Sequence, residues 1–534
     1  MRPGRRLGRP ELLIAGLALA ASAAGIGNGF VYDDVPIILN NPAVHQLAHP
    51  VELWGSAYWP SGLLYRPLTI QAFALEWAVG AGRPVVFHLV NVVLMLLVAL
   101  LFWRLARHLL EPLPAFAAAA LFAVHPVHVE AVANGVGQSE LLTALFVLLA
   151  VERYLTWRRD GPLGMGRRAA LAGFTLAAIL SKETGYVTPF LLLAAEALLG
   201  GPDATWRARL RTMGPVLFLQ FGAALGAFLL RLIVLGAAAG EVTAPALRDL
   251  SPAARIGGML AAIPEWTRLL FWPAHLQAEY GPPALPVTGG FGLAHLVGLA
   301  MLVLVAVLLV RFWRTQPVIA LGVVWVAIAL APASNLFVAS GVILAERTLF
   351  LPSAGAMLAL GGALAVVLPR LGAAGSLARG AVALLLAAVV LAGLLRSAER
   401  QRVWRDETTF FHRLETDAPT TYRAHLVASN FYSSAGRHPE AEHAARQAFE
   451  LFKGDPQVFE QFGQTLRRQG RCAEALPILA EGVQRFPDRT VGRSRLIECA
   501  LAVGDTARAR GAAEEAVRMG QREFEGTVRR LSRP

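Results

Sequence analysis

Two adjacent carboxylates, Asp33 and Asp34, stand in the stretch GFVYDDVPIILNNP, directly after the first apolar segment of the chain. A carboxylate at the edge of a bilayer is unfavourable unless it is solvated or has a specific role. Such a pair can deprotonate a hydroxyl as a general base, or it can bind a divalent cation that stabilises a leaving phosphate. Capping a helix or lying in solvent are the alternatives, and no set of metal ligands is assigned.

Basic side chains occur in three later polar stretches that also border apolar runs. Arg66 lies in YRPLT, Lys182 in SKETG and Arg347 in ILAERTLFLPS. Cations at a membrane surface can hold the phosphate of a lipid-borne donor, and arginine is favoured for bidentate contact. Long basic side chains also extend to lipid headgroups without binding a substrate. We predict that these three residues form a donor phosphate site.

Histidines and glutamates accompany the cations, and we predict that they line an acceptor or substrate pocket. FHLVN places His88 and Asn91 on one face of a helix. HPVHVEAV places His125 and His128 three residues apart, a spacing that resembles half of a metal site, although histidines hydrogen-bonded to neighbours are commoner. Packing between helices and hydrogen bonding to neighbours remain alternatives for these histidines. The predicted pocket residues are His88, His125, His128, Glu130, Glu183 and Glu346.

Transmembrane helices must position these residues. The chain has 534 residues, of which 55% are hydrophobic and 16% are charged, whereas soluble domains carry about 25% charged residues. About eleven apolar runs are interpreted as membrane spans, the first as an uncleaved helix rather than a signal peptide. They lie near residues 11–29, 84–103, 113–131, 140–157, 169–182, 185–200, 213–235, 290–310, 317–335, 349–369 and 378–396. The sequence therefore predicts an all-α, polytopic membrane protein.

The short basic loops between apolar runs predict the orientation of the chain. Stretches such as MRPGRR, WRLARHLLEP and RFWRTQ fall on alternate sides of the helix count and are assigned to the cytoplasm. The polar stretches with Asp33, Lys182 and Arg347 then face the exterior, as does everything after residue 397. The formal net charge of +12 lies mostly in these loops and the C-terminal region, so it does not indicate nucleic-acid binding.

The C-terminal region shows an internal repeat. Gly436, Gly470 and Gly504 are 34 residues apart, and an alanine series, Ala441, Ala475 and Ala509, has the same period. A helix–turn–helix unit of 34 residues is typical of tetratricopeptide repeats, which bind peptides or proteins. We predict a transmembrane domain over 1–400 and an α-solenoid of about three repeats over 401–534. Cys472 and Cys499 would lie on neighbouring helices, as a disulfide or as two free thiols.

The motifs FVYDD, NNP, YRPL, FHLVN, FAVHPVHVEAVA, SKETG and ERTLFLPS, followed by repeats, resemble the transmembrane O-mannosyltransferases that carry tetratricopeptide repeats (the TMTC family). That family belongs to the GT-C superfamily of membrane glycosyltransferases. The resemblance implies a polyprenyl-phosphate sugar donor, inverting transfer and an active site at the extracytoplasmic face. By motif match, Asp33 or Asp34 would act as the base, and Lys182 and Arg347 would meet the donor phosphate.

Two features depart from the family pattern. Only about three repeats are recognisable, and NGVGQSELL stands where an Arg-containing GRADLL form is familiar, so that Gln138 replaces a cation. The Ala/Arg/Gly-rich composition indicates a bacterial inner-membrane protein with a periplasmic repeat domain and an undecaprenyl-type carrier. The function predicted is transfer of mannose or another hexose to a hydroxyl of a protein acceptor that the repeats bind. A non-catalytic scaffold and a lipid-linked-sugar transporter are the alternatives.

Overall fold

A computed structural model describes residues 8–59, 64–200, 205–236, 243–287, 290–373 and 376–532. Within these ranges the chain is helical and contains no β-strand, only two isolated bridges. The predicted all-α class is therefore confirmed for the described part of the chain. The stretch MRPGRR, which was predicted to face the cytoplasm, lies outside the described residues.

Residues 9–401 form helices that we number α1 to α17. In order they are Arg9–Ser22, Pro50–Trp54, Pro67–Gly80, Pro84–Leu109, Pro112–Ala123, Val129–Ala133, Gln138–Arg159, Met165–Ser181, Thr188–Leu199, Trp206–Leu235, Pro245–Arg248, Pro252–Met259, Ile263–Phe271, Leu293–Phe312, Pro317–Leu330, Phe350–Ala373 and Ser376–Gln401. Each predicted apolar run overlaps one of these helices. Helix α3, which spans 14 residues, was not predicted because Thr69, Gln71 and Glu76 interrupt its apolar run.

Among the described residues, six helices are long and apolar enough to cross a membrane, namely α4, α7, α10, α14, α16 and α17. A seventh candidate is a pair, Pro112–Ala123 and Pro126–Ala133, bent by 43° at the break. The chain is thus a multi-pass membrane protein. Crossing by the shorter apolar helices, and hence the total of eleven spans, remains a prediction.

Helix α7 lies inside the bundle, whereas α14 and α17 present most of their apolar surface outward. Helices α15 and α16 pack with their backbones in contact at Gly322 and Gly355. A Cβ atom added at Gly322 would lie 2.5 Å from the carbonyl oxygen of Gly355, so no larger residue fits at this crossing. Outward-facing apolar helices around a buried one are the arrangement expected in lipid.

Several helix ends meet at one end of this bundle. The carbonyl oxygen of Val124, at the end of α5, accepts a hydrogen bond from Ser397 in α17. Asn91 near the start of α4 donates to the carbonyl oxygen of Asn134, just before α7. The first loop, which contains a short π-helix over Val35–Leu39, packs against the same end. The polar motifs of the sequence are therefore gathered on one side of the bundle.

Residues 407–531 form helices α18 to α25. They are Glu407–Asp417, Tyr422–Ser434, His438–Leu451, Pro456–Arg468, Cys472–Arg485, Thr490–Ala502, Thr506–Arg518 and Glu525–Leu531. Helices α19 to α24 form three successive pairs, each packed against the next. Gly436, Gly470 and Gly504 lie in the turns within the pairs with φ of 73°, 75° and 80°, a conformation that favours glycine. The assignment of these pairs as tetratricopeptide repeats, and the boundary at residue 400, remain predictions.

The two cysteines lie on neighbouring helices of this region. Cys472 begins α22 and Cys499 lies near the end of α23. Both are buried free thiols, and their Sγ atoms are 2.6 Å apart.

Candidate functional site

Asp34 is sealed inside the protein and holds the first loop against the segment before α7. Its carboxylate accepts hydrogen bonds from the backbone N–H groups of Gly135 at 3.0 Å and Val136 at 2.8 Å. A longer bond comes from the N–H of Val31. The residue is 1% exposed, and burial raises its pKa to about 7. Asp34 therefore joins two loops and does not face an open site.

Asp33 points in a different direction from its neighbour. Its Oδ2 atom lies 3.7 Å from Nη2 of Arg347, and its side chain is 16% exposed. Burial raises the pKa of Asp33, against the opposing effect of the Arg347 charge. Of the acidic pair, Asp33 is the member with an accessible carboxylate next to a cation.

Arg347 lies in a 3₁₀ turn, Glu346–Leu349, directly before α16. Glu130 from α6 accepts a 2.8 Å hydrogen bond from the backbone N–H of Arg347 and also pairs with its guanidinium. The adjacent Glu346 has a different set of partners. It accepts bonds from the N–H of Gln277 at 2.6 Å and the hydroxyl of Tyr280 at 2.7 Å. Glu130 thus orients Arg347, and Glu346 holds the loop before α14.

Lys182 follows α8 and pairs with Glu140 of α7. The positive charges of Arg66 and Arg347 act on Lys182 as well. Gly185 of the SKETG motif packs against the end of α8, because an added Cβ atom would lie 2.4 Å from the backbone of Ala178. Lys182 is therefore held by Glu140 in the first turn of α7, where the charges of both predicted arginines act on it.

Arg66 pairs with Glu183, the neighbour of Lys182. Its Nε and Nη2 atoms donate to Oε2 of Glu183 at 3.0 and 2.8 Å. Its guanidinium also stacks on Tyr58, 4.6 Å from the ring centre. Arg231 of α10 lies 3.7 Å from the other oxygen of Glu183. Each predicted cation thus has a carboxylate partner that a bound phosphate could replace or join.

The predicted pocket histidines are bound to neighbouring protein groups. Nε2 of His88 lies 3.2 Å from the carbonyl oxygen of Gly29. His125 reaches the carbonyl oxygen of Leu270 at 3.0 Å, and His128 reaches Oγ of Ser353 at 2.8 Å. All three residues are at most 7% exposed. These contacts tie loops to helices, and the pocket role of these histidines stays a prediction.

The two aspartates do not form a joint set of metal ligands, because Asp34 is occupied by backbone N–H groups and Asp33 faces Arg347. Among the described residues, no group of three or more His, Cys, Asp or Glu side chains is arranged to hold a metal ion. The donor set present does not fit the divalent cation considered from the sequence.

Sequence reasoning missed two residues next to Asp33. Tyr32 has a left-handed backbone with φ of 58°, and its hydroxyl donates to Glu279 at 2.6 Å. Glu279 lies in the long segment before α14, without any motif around it. Gly135, whose N–H binds Asp34, and Gly185 of the SKETG motif were also missed as site features. Glycine next to a motif is a usable signal for close backbone approach.

Comparison with known proteins gives consistent relatives. No family model matches the chain. Protein O-mannosyl-transferase TMTC3 of Homo sapiens is 28% identical over 379 residues, covering 64% of this chain and 41% of that protein. TMTC4 of Mus musculus is 28% identical over 479 residues, covering 78% of this chain and 63% of that protein. Tmtc2 of Drosophila melanogaster is 33% identical over 294 residues, covering 52% of this chain and 31% of that protein. The chain spans less than two thirds of the length of these relatives.

Similar solved structures are more distant. An archaeal oligosaccharyltransferase, AglB from Archaeoglobus fulgidus in complex with an inhibitory peptide and a dolichol-phosphate, has a TM-score of 0.46 at 15% identity, covering 73% of this chain and 55% of that chain. ArnT from Cupriavidus metallidurans bound to undecaprenyl phosphate has a TM-score of 0.32 at 15% identity, covering 68% and 78%. At these scores the likeness does not establish a shared ligand. The homologues of this chain are TMTC protein O-mannosyl-transferases, which are glycosyltransferases.

Proposed function

We propose that this chain is a membrane glycosyltransferase of the GT-C type. It moves mannose or another hexose from a polyprenyl phosphate to a hydroxyl of an extracytoplasmic protein acceptor, with Asp33 as the general base. The observation that carries the proposal is the different environment of the two aspartates. Asp33 has a partly exposed carboxylate 3.7 Å from Arg347, whereas Asp34 is held by three backbone N–H groups.

The reaction requires a base and a site for the leaving phosphate. The acceptor oxygen attacks the anomeric carbon and forms the new C–O bond, while the bond from that carbon to the phosphate oxygen breaks. The polyprenyl phosphate leaves with the bonding electron pair, and Asp33 takes the hydroxyl proton. Attack opposite to the leaving group inverts the anomeric centre. Transfer therefore requires the sugar to lie between Asp33 and the phosphate, so that Arg347 leaves its contact with Asp33 to meet the phosphate.

The donor phosphate is assigned to Lys182, Arg347 and Arg66. Two of them pair with buried carboxylates, Lys182 with Glu140 and Arg347 with Glu130. A cation held by a carboxylate is already ordered, so binding a phosphate costs little side-chain entropy. Charge-assisted bonds to phosphate are also about twice as strong as neutral ones. These pairs support a preformed anion site.

The positive-inside pattern of the loops supports an exterior site and an exterior C-terminal region. We assign catalysis to residues 1–400 and acceptor binding to the paired helices of residues 401–534. Helix α18 and the turn before it pack directly against the first loop, where the N–H of Gly29 donates to the carbonyl oxygen of Arg405 at 2.8 Å. An acceptor bound to these helices would therefore be held near Asp33.

The test uses the purified full-length protein in lipid vesicles with radiolabelled polyprenyl-phosphate mannose and a periplasmic protein extract. The wild type is expected to transfer label to protein, and Asp33→Asn is expected not to. Asp160→Asn is a matched control, since Asp160 is a 57% exposed carboxylate paired with Arg167 in another loop. If no donor is consumed and proteins of the periplasmic extract still bind the C-terminal helices, the chain is a scaffold. Movement of intact donor across the membrane would identify a transporter.

A further inference from the structure

Tyr32 sets the direction of the chain at Asp33. Its φ of 58° is a left-handed conformation that costs a tyrosine free energy unless surrounding contacts hold it. The ring stacks on Phe410 with centres 5.3 Å apart and meets Phe411 edge to face. Both phenylalanines belong to α18. Residues of the C-terminal region thus hold the backbone turn that separates the directions of Asp33 and Asp34.

Glu279 connects the same tyrosine to the first paired helix of the C-terminal region. Its Oε1 atom accepts a 2.6 Å hydrogen bond from the Tyr32 hydroxyl. Its Oε2 atom accepts a 3.1 Å bond from Nε of Arg423 in α19. Glu279 is 6% exposed, and loss of either partner would leave a buried carboxylate short of hydrogen bonds. The Glu279 carboxylate therefore bridges the first loop, which contains Asp33, and α19.

The backbone beside Glu279 docks on the same helix. The N–H of Tyr422 donates to the carbonyl oxygen of Pro282 at 3.2 Å, and Pro283 pairs with Thr421 in an isolated antiparallel bridge. Arg423 and Glu279 are thus brought together by two backbone contacts as well as by their charges. A shift of α19 would be transmitted to Glu279 and from there to Tyr32.

We propose that Glu279 and Arg423 are positioning residues that hold Tyr32 and thereby direct the Asp33 carboxylate into the site. Transfer by Asp33 then depends on the docking of the C-terminal helices. This inference rests on the base role proposed for Asp33. It adds that the C-terminal helices, which we assign to acceptor binding, also support the first loop, which contains Asp33.

The charges around Asp33 give the proposal a second readout. Besides Glu279, the groups that act on Asp33 are Arg347, Arg423, Glu130, Asp34, Tyr32 and Tyr58. The negative charge of Glu279 raises the pKa of Asp33. Glu279→Gln keeps an oxygen for the Tyr32 hydroxyl but removes the charge, so the acid limb of the rate–pH profile is expected to move to lower pH.

The test measures kcat and the donor KM of full-length variants in lipid vesicles. Tyr32→Phe and Arg423→Ala are each expected to lower kcat about 10-fold to 100-fold, the loss typical of a hydrogen bond to a charged group, and to leave the donor KM unchanged. Combining them should lower kcat little further, since both act through Glu279. Arg423→Lys should restore part of kcat. Arg167→Ala, which breaks an exposed arginine–aspartate pair with Asp160 outside the C-terminal region, should leave kcat unchanged.

Hydrogen–deuterium exchange of residues 29–39 separates this inference from the function itself. Exchange is expected to rise at least severalfold in Arg423→Ala relative to Arg167→Ala. An active wild type whose Arg423→Ala and Tyr32→Phe variants keep full kcat would overturn the positioning role. If the wild type transfers no sugar, the proposed function fails, and unchanged exchange in Arg423→Ala would then overturn the physical link as well. Melting temperatures of Tyr32→Phe and Arg423→Lys identify any loss that comes from misfolding.

Discussion

The Oδ2 atom of Asp33 lies 3.7 Å from Nη2 of Arg347, a contact that joins the first loop to the turn before α16. The two residues are more than 300 positions apart in the chain. Glu130 holds the same arginine from a third segment. This relationship places an accessible carboxylate beside a cation that is already oriented, and the adjacent Asp34 has no equivalent contact. The expected consequences of substitution therefore differ between two neighbouring residues of the same type.

Asp34→Asn is expected to destabilise the protein rather than remove a catalytic group. The amide nitrogen of asparagine would face the N–H of Gly135 or Val136, which costs about 1–3 kcal/mol in a buried site. The melting temperature in detergent at pH 5 measures this loss, with Asp160→Asn as the exposed control. An unchanged melting temperature would contradict the structural role of Asp34.

The pH dependence of the free energy of unfolding also tests the buried position of Asp34. Below about pH 4, Asp34 is protonated in both the folded and the unfolded chain. As pH rises, the unfolded state ionises first, because burial raises the pKa of folded Asp34 to about 7. The contribution of Asp34 to the free energy of unfolding is therefore complete below about pH 4 and is lost as pH rises towards 7. In Asp34→Asn this part of the slope should disappear, and a slope identical to that of the wild type would contradict the assignment.

The rate of transfer should show an acid limb set by Asp33. Burial raises the pKa of Asp33 above its usual value of about 4. A base must be ionised, so kcat/KM should fall as pH drops through this raised pKa, and the midpoint should lie above pH ~4. Initial rates between pH 4 and pH 8 at subsaturating donor measure the limb. A flat profile down to pH 4 would contradict a base with a raised pKa.

Lys182→Gln is expected to weaken donor binding by about 10-fold to 100-fold, the usual effect of losing a charge-assisted hydrogen bond. The remaining Glu140 would also repel the phosphate. Lys453→Gln is the matched control, because Lys453 is the other lysine of the chain and pairs with Glu481 in the C-terminal region. Binding of a labelled polyprenyl phosphate to protein in vesicles provides the measurement.

A double variant separates the two effects at Lys182. Lys182→Gln combined with Glu140→Gln removes the repulsion but does not restore the cation. Donor affinity is expected to recover only in part. Full recovery would show that Lys182 serves only to neutralise Glu140.

The helices were predictable from the sequence because apolar runs are long and continuous, and each predicted run overlaps a helix. Helix α3 was not recognised, since polar residues such as Gln71 and Glu76 interrupt its apolar run. The glycine period of the C-terminal region was also readable, because Gly436, Gly470 and Gly504 take a left-handed backbone that favours glycine. At these helices and turns the local sequence pattern alone therefore indicates the backbone conformation.

The partners of the site residues could not be predicted in the same way. Asp33 and Asp34 are adjacent and chemically identical, and their difference comes from Gly135, Val136 and Arg347, which lie far away in the chain. Glu279 has no motif around it, so its bridge from Tyr32 to Arg423 depends on tertiary packing. Long-range contacts of this kind leave no local signal in a single sequence.

The most direct test of the account is single-turnover transfer by Asp33→Asn with saturating labelled donor. Asparagine keeps the size of the side chain and removes the base, so the rate constant is expected to fall about 10²-fold to 10⁴-fold while donor affinity is retained. A rate constant equal to that of the wild type, in a variant that binds donor normally, would contradict the assignment of Asp33 as the catalytic base.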